Sequence, residues 1–256
     1  MAAPKKNTDI RICGVETILA TFARRPKSIG FLAFSKENSR DLGDICSFIA
    51  QEKKSYKLCT ESELNEIAGH KFHEGAIAVV TRPPTKKPSY ADYTEWQKKD
   101  EPLLILEGFT SGVILGRIVH TAHALRVNKV IFSESSMDAL FTDEAWLHSQ
   151  GTLEKVMRGE GGAIAPLCKQ LKDKFLFIAG VPTGIGGRNI NFAKPMNAPG
   201  RPFALILNEQ NLEPSDPTLN HCEHKVQIPG LGKNGTELKA DALGAILLSW
   251  LQSREK

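Results

Sequence analysis

The sequence predicts an α/β protein with a parallel sheet, on three observations. Residues 103–132, LLILEGFTSGVILGRIVHTAHALRVNKVIF, read as strand, turn, helix, strand. Further apolar runs of strand length follow at Lys174 to Ala179, Phe203 to Leu207 and Val226 to Ile228. Strands alternating with helices imply a parallel sheet covered on both faces. A smaller α/β unit, residues 1–80, comes before a charged, proline-rich stretch at 81–102.

Within the first unit, Val15 to Ala23 has helical spacing and stops at Arg24-Arg25-Pro26, because proline disfavours helix in the residue before it. Ile29 to Phe34 is strand-like, and Asp41 to Glu52 is a helix with Leu42, Ile45, Phe48 and Ile49 on one face. Lys57 to Cys59 is a short strand. Thr60 followed three residues later by Glu63 is a capping-box pattern that opens a helix at Ser62 to Ala68. Ala76 to Val80 is a buried strand. Residues 81–102 hold four of the fourteen prolines and read as a linker. Its Tyr90, Tyr93 and Trp96 either stack on bases or pin a short helix against a domain.

In the second unit, Leu103 to Leu106 is a strand and Glu107 to Gly112 a turn. Ile114, Leu115, Ile118, Val119, Ala122 and Leu125 mark one helix face, and Val130 to Phe132 returns as a strand. Ala139 to Gln150 is a helical stretch, Glu160 to Ala163 a glycine turn, Asn208 to Asp216 a polar turn, and Leu238 to Leu251 a C-terminal helix. The run Gly184-Ile185-Gly186-Gly187-Arg188 superficially resembles a phosphate loop. The asparagines and prolines after it oppose the helix that a dinucleotide fold requires there.

Composition narrows the function classes. No run of eighteen apolar residues exists, so nothing is expected to span a membrane, and the polar first residues lack the apolar centre of a signal peptide. Five scattered cysteines fit neither a disulfide framework nor a zinc site, so a cytoplasmic location and no metal are expected. The net charge of +4 permits RNA binding without a dense basic block.

Three segments carry a family resemblance. Leu115-Gly116, His120-Thr121-Ala122 and Val127 before a strand form the first; His73-Glu74-Gly75-Ala76-Ile77-Ala78 the second; and Val226 to Trp250, VQIPGLGKNGTELKADALGAILLSW, the third. In that order they resemble the SpoU/TrmH (SPOUT) class of RNA 2′-O-ribose methyltransferases, from about Arg11 to Trp250. The resemblance implies a small α/β/α ribosomal-protein-like, RNA-binding substrate domain at 1–80 and a linker at 81–102. It also implies a parallel-sheet methyltransferase domain at 103–256 with a C-terminal trefoil knot. The implied reaction moves a methyl group from S-adenosylmethionine to a ribose 2′-hydroxyl of rRNA or tRNA. A homodimer through the second domain is implied as well, using Leu238, Ala242, Ala245, Ile246 and Trp250 of the last helix.

The site residues of that class map one by one. The asparagine of the first signature falls on Ile114 and the arginine on His120. The glycine of the second falls on Asn208, and the glutamate on Gln210, or on Glu209 with a one-residue shift. In the third, the serine falls at Thr236 or Glu237 and the asparagine at Leu238, or a slip places Glu237 and Lys239 there. His120 is thus the one candidate catalytic residue: a base for the hydroxyl, or a helix histidine paired with His123 and facing solvent or a backbone carbonyl. Backbone contacts of the class imply S-adenosylmethionine candidates at Thr183, Leu207, Asn208, Glu209, Ile228 and Gly232, with Glu213 standing where glycine is usual. Arg24, Arg25 and Lys27 are candidates for RNA phosphate, or for a solvated helix end that suits the helix dipole. The expected function is therefore a methyltransferase with exchanged catalytic residues, or a catalytically silent RNA-binding protein on the same fold.

Overall fold

The computed structural model describes residues 9–181, 187–191, 194, 196, 200–209, 215–229 and 238–253. The first part runs β1 (Asp9–Cys13), α1 (Val15–Arg24), β2 (Ile29–Phe34), α2 (Gly43–Gln51), β3 (Ser55–Leu58), α3 (Glu61–Ala68) and β4 (Ala76–Thr81). Its sheet has the order β1-β4-β2-β3, with β4 antiparallel to both neighbours and β2 parallel to β3. β1 was not foreseen, although Ile10 and Ile12 alternate toward the core. The capping box of α3 forms as expected: Glu63 N donates to Thr60 Oγ1 and Thr60 N to the Glu63 carboxylate.

Next come α4 (Tyr90–Lys98), β5 (Leu103–Glu107), α5 (Gly112–Ala124), β6 (Lys129–Ser133), α6 (Met137–Leu140), α7 (Asp143–His148), β7 (Met157–Gly162), α8 (Ile164–Leu171), β8 (Leu176–Gly180), β9 (Arg188–Asn189), β10 (Phe203–Asn208), α9 (Asp216–Leu219), β11 (His224–Gln227) and α10 (Ala240–Gln252). These strands make one parallel sheet in the order β7-β6-β5-β10-β8-β11-β9. No helix among the described residues is long and apolar enough to cross a membrane.

Two readings change, and one helix is added. The glycines at 159–162 belong to strand β7 rather than to a turn. A side chain at Gly159 or Gly161 would strike Ile131 of the neighbouring strand, so glycine here answers packing and not bending. Helix α8 has no counterpart in the sequence reading; Pro166 falls in its first turn, where no intrahelical N–H is needed. The stretch 139–150 divides into two short helices, and Thr142 caps the second through Ala145 N.

The stretch 81–102 is docked throughout. Lys86 exchanges backbone hydrogen bonds with Arg158 and Glu160 of β7. In α4 the Ser89–Asp92 capping box forms, and Tyr93 and Trp96 are buried against Phe175 and the strand face of Leu103 and Ile105. Tyr90 alone of the three aromatics is exposed.

The two sheets meet through α7 and α5. One apolar cluster runs from Ile12 and Ile18 through the fully buried Trp146 to Leu115, Val119 and Leu106. The helices α5 and α7 touch where α5 carries Gly112 and Gly116. A Cβ on Gly116 would sit 2.5 Å from Ala145 O and 3.0 Å from Ser149 N, which are backbone atoms that cannot swing away. Gly116→Val should therefore overpack this contact and cost at least about 2 kcal/mol. Urea unfolding of the two proteins measures it, and an unchanged midpoint would contradict the contact.

Candidate functional site in the crevice of the large sheet

In open parallel sheets ligands bind beyond the carboxyl ends of the strands, where the strand order reverses. Here the chain moves outward from β5 to β6 and β7, then places β10 on the other side of β5. The reversal lies between β5 and β10, whose last paired residues are Glu107 and Asn208.

The loop from Gly108 to Ser111 at this point is held on several sides. Gly108 N donates to Ser133 Oγ at 3.2 Å and Phe109 N to Ser136 Oγ at 2.9 Å, while Ser136 Oγ donates to Leu106 O. Glu209, one residue past β10, accepts from Thr110 N at 2.6 Å and Ser111 N at 2.8 Å. Ser111 in turn caps α5, its Oγ accepting from Ile114 N. Glu107 accepts from Ser215 N and Oγ and from Thr218 Oγ1, and so anchors α9 beside the crevice.

Of the cofactor candidates, Leu207, Asn208 and Glu209 lie together at the end of β10. Ile228 lies at the end of β11, two strands away, or about 10 Å. Thr183 and Gly232, together with the turn 182–186 and the loop 230–237, fall outside the described residues. So do Gln210, Glu213, Thr236 and Glu237. Asn208 Oδ1 is buried and has no hydrogen-bond partner among the described residues. An orphaned acceptor at a strand end fits a ligand that offers an N–H or O–H donor. The Asn208 amide also fills the space over Gly108 (φ +72°), where a Cβ would lie 2.9 Å from its Nδ2.

His120 stands elsewhere. It lies eight residues along α5 from Gly112, about 12 Å down the axis. Its Nδ1 is 3.2 Å from Ser149 O. A carbonyl only accepts, so Nδ1 carries the proton and Nε2 the lone pair. Within one chain the structure does not bring His120 together with the cofactor candidates. Ile114 is apolar and packs against the core, as does Leu238.

The three basic candidates separate. Arg24 and Lys27 are exposed. Arg25 is not available to phosphate: its Nε is 2.7 Å from Glu154 Oε1, its Nη1 donates to Thr81 O, and its Nη2 is buried without a partner. Glu154, with a side chain 2% exposed, also accepts from Thr21 Oγ1. Arg25 thus ties α1 to the large sheet, a pairing across 129 residues that no local pattern signals. Trp250, expected at a subunit contact, is buried in its own chain, with Nε1 donating to Asn191 O at 2.9 Å.

A second polar cluster was likewise not foreseen. Asp143 Oδ2 accepts from Arg11 Nε and Nη2 and lies 2.9 Å from His70 Nε2. Buried Cys13 stands beside them, close enough that Cys13, His70 and Asp143 could in principle share an ion. The two bonds from Arg11 already neutralise the carboxylate, and the His70 ring bonds on both nitrogens, with Nδ1 accepting from Phe72 N. Burial pushes the Cys13 thiol up to about 12, helped by Asp143. The cluster is a polar tie between the sheets. All five cysteines carry free thiols.

Comparison with known proteins follows this geometry. Residues 11–86 match the family described as RNA 2'-O ribose methyltransferase substrate binding. An uncharacterised tRNA/rRNA methyltransferase of Haemophilus influenzae is 22% identical over 248 residues, covering 96% of this chain and 68% of that protein. The SpoU methyltransferase AviRb of Streptomyces viridochromogenes, solved with AdoMet, superposes with a TM-score of 0.68 at 16% identity, covering 97% of this chain and 93% of that one. An AdoMet-bound rRNA methyltransferase of Sinorhizobium meliloti gives 0.72 at 13% identity, covering 96% and 88%. Residues 11–86 thus belong to the substrate-binding family of RNA 2'-O ribose methyltransferases, and the whole chain has the fold of SpoU and TrmH methyltransferases of known structure.

Two outcomes test the site's construction. Glu209→Ala should leave the N–H groups of Thr110 and Ser111 without their charged acceptor and cost about 1–2 kcal/mol, read as a lowered melting temperature. For Asp143, burial alone would raise the carboxyl, but the hydrogen bonds from His70 and Arg11 outweigh it and hold the value below the usual range. A depressed folded value adds stability above the unfolded pKa of about 4. That stability is lost as pH falls through the folded value. Asp143→Asn should therefore be less stable than wild type by on the order of 2 kcal/mol at pH 7. The two urea midpoints should converge in acid, and a gap that persists there would refute the ion pair.

Proposed function

We propose that the chain is a SpoU/TrmH-like protein acting on rRNA or tRNA in the cytoplasm, with exchanged catalytic side chains. Its reaction class is methyl transfer from S-adenosylmethionine to a ribose 2′-hydroxyl. Residues 1–80 serve as the substrate domain, 81–102 as the connection, and 103–256 as the transfer domain with a C-terminal knot. The observation that carries this reading is the pre-organised crevice between β5 and β10. There Glu209 fixes the loop at Thr110 and Ser111, and Asn208 keeps a free acceptor.

The residues present fit the cofactor. Leu207 and Ile228 supply buried apolar contact at the strand ends, and Asn208 Oδ1 supplies an acceptor for a donor of the nucleoside. The cofactor, when bound, supplies the electrophilic methyl. The chain's part is to hold the RNA hydroxyl at attacking distance and to take its proton. His120 Nε2 has the lone pair for that proton, but reaches a reacting hydroxyl only from a second copy of the chain. Ala242, Ala245 and Ile246 of α10 are partly exposed and give a homodimer its apolar contact.

A second reading, an RNA-binding protein without transfer, is favoured by one observation. His120 lies away from the crevice within one chain, and Ile114 offers no hydrogen bond where the class has asparagine. Labelled S-adenosylmethionine and total RNA from cells lacking the protein distinguish the two. Loss of one positioning group slows such reactions by about two to three powers of ten, so the expected transfer is slow and disappears in His120→Ala. Cofactor binding in the micromolar range with no transfer selects the silent reading. No cofactor binding at all would remove the enzyme.

A further inference from the structure

Three of the four large apolar side chains exposed among the described residues, Tyr56, Leu58 and Phe72, belong to the N-terminal part of the chain. Leu58 lines a cleft of about 650 Å³, and Phe72 lies between its lining residues Lys71 and His73. Three loops build it: the one after β2 at Ser35 to Asn38, the one between β3 and α3, and the one before β4 at Lys71 to Gly75. This is the opposite end of the sheet from Arg24 and Lys27, which lie where β2 begins.

The cleft is rigid. Gly75 (φ +71°) has no room for a side chain, since a Cβ would lie 2.7 Å from Asn38 Nδ2 and 2.9 Å from Ser35 Oγ. Ser35 N donates to Gly75 O, Asn38 Nδ2 to Glu74 O, and Gly75 N to the buried His73 Nδ1. The loops are therefore set before any ligand arrives.

Its charges are of both signs. Lys36 and Lys71 are exposed cations on the lining, and Lys57 lies on the neighbouring edge strand, paired with Glu63. The lining carries four glutamates, Glu37, Glu61, Glu63 and Glu74. Glu63 is held by Lys57, whereas the Glu37 and Glu61 carboxylates make no hydrogen bond or ion pair among the described residues. A carboxylate repels a phosphate and accepts from N–H donors, whereas a lysine suits a sugar–phosphate backbone passing beside the cleft. Phe72, 72% exposed between two lining residues, offers a ring face on which a base can stack.

We propose that this cleft takes one unpaired guanine of the RNA substrate, stacked on Phe72. Its N1–H and N2–H groups meet Glu37 or Glu61, and its flanking phosphates lie near Lys36 and Lys71. Guanine is the base that offers two adjacent donors to a carboxylate; uracil offers one. The inference rests on the reading that the chain binds RNA, and it moves the recognition surface away from the basic end of α1.

The test uses the full chain and two labelled RNA hairpins that share a stem and differ in a loop of guanines or uracils. Wild type should bind the guanine loop more tightly. Phe72→Ala, at a position too exposed to disturb folding, should weaken that complex on the order of tenfold. Glu37→Gln with Glu61→Gln should narrow the gap between the loops, while Arg24→Ala with Lys27→Ala should leave it unchanged. Equal binding of the two loops, or Phe72→Ala binding like wild type, overturns the cleft and leaves RNA binding standing. Such a result would return the exposed edge of β3 to a protein partner. No binding of either hairpin at low salt overturns both.

Discussion

The contact on which the rest of the structure depends is the close approach of α5 and α7 at Gly112 and Gly116. Removing two side chains from one face of α5 lets the backbone of α7 lie against it. In that position α7 faces two ways. Trp146 enters the core shared with the large sheet, with its Nε1–H on Leu140 O, and Leu147 enters the apolar cluster under β1 and α3. The residue that opens α7, Asp143, reaches Arg11 and His70 of the small sheet. A helix of six residues thus serves both domains, and only because its neighbour gives way.

Around this contact the junction is polar as well as apolar. Thr17 donates to Trp146 O, Arg25 meets Glu154, and the Arg82 guanidinium lies over the Phe141 ring at 3.4 Å. Buried ion pairs add little net stability over apolar packing, yet removing one partner is costly because it strands the other charge. These pairs therefore set where the sheets sit against each other more than how tightly they hold. With 81–102 also laid against β7 and β5, the two sheets share one continuous framework.

Much of this was legible in the sequence where the signal was local. Apolar runs located β2, β4, β5, β6, β8 and β10, and Thr60 with Glu63 marked the start of α3. Local rules failed where a distant neighbour decided the outcome. The glycines of β7 are set by Ile131, and Arg25 is set by Glu154, neither of which is near in sequence. The same holds at the site. The family resemblance located the residues at the end of β10, but gave no sign that the Glu209 carboxylate faces two backbone N–H groups 98 and 99 residues earlier. His120 was placed by its motif position, whereas its partner at Ser149 comes from the fold of α7.

That tie from Glu209 has a consequence for how such a chain can change over time. A carboxylate that grips main-chain N–H groups is indifferent to which side chains the gripped residues carry. Substitutions can then accumulate along the loop and the start of α5, as apolar Ile114 illustrates, without loosening the shape of the crevice. The architecture is inherited through groups that every amino acid except proline possesses, while the reactive groups are free to drift. A lineage built this way can forfeit its chemistry and keep its outline, or regain a reaction by altering a few side chains on a frame that never had to be rebuilt.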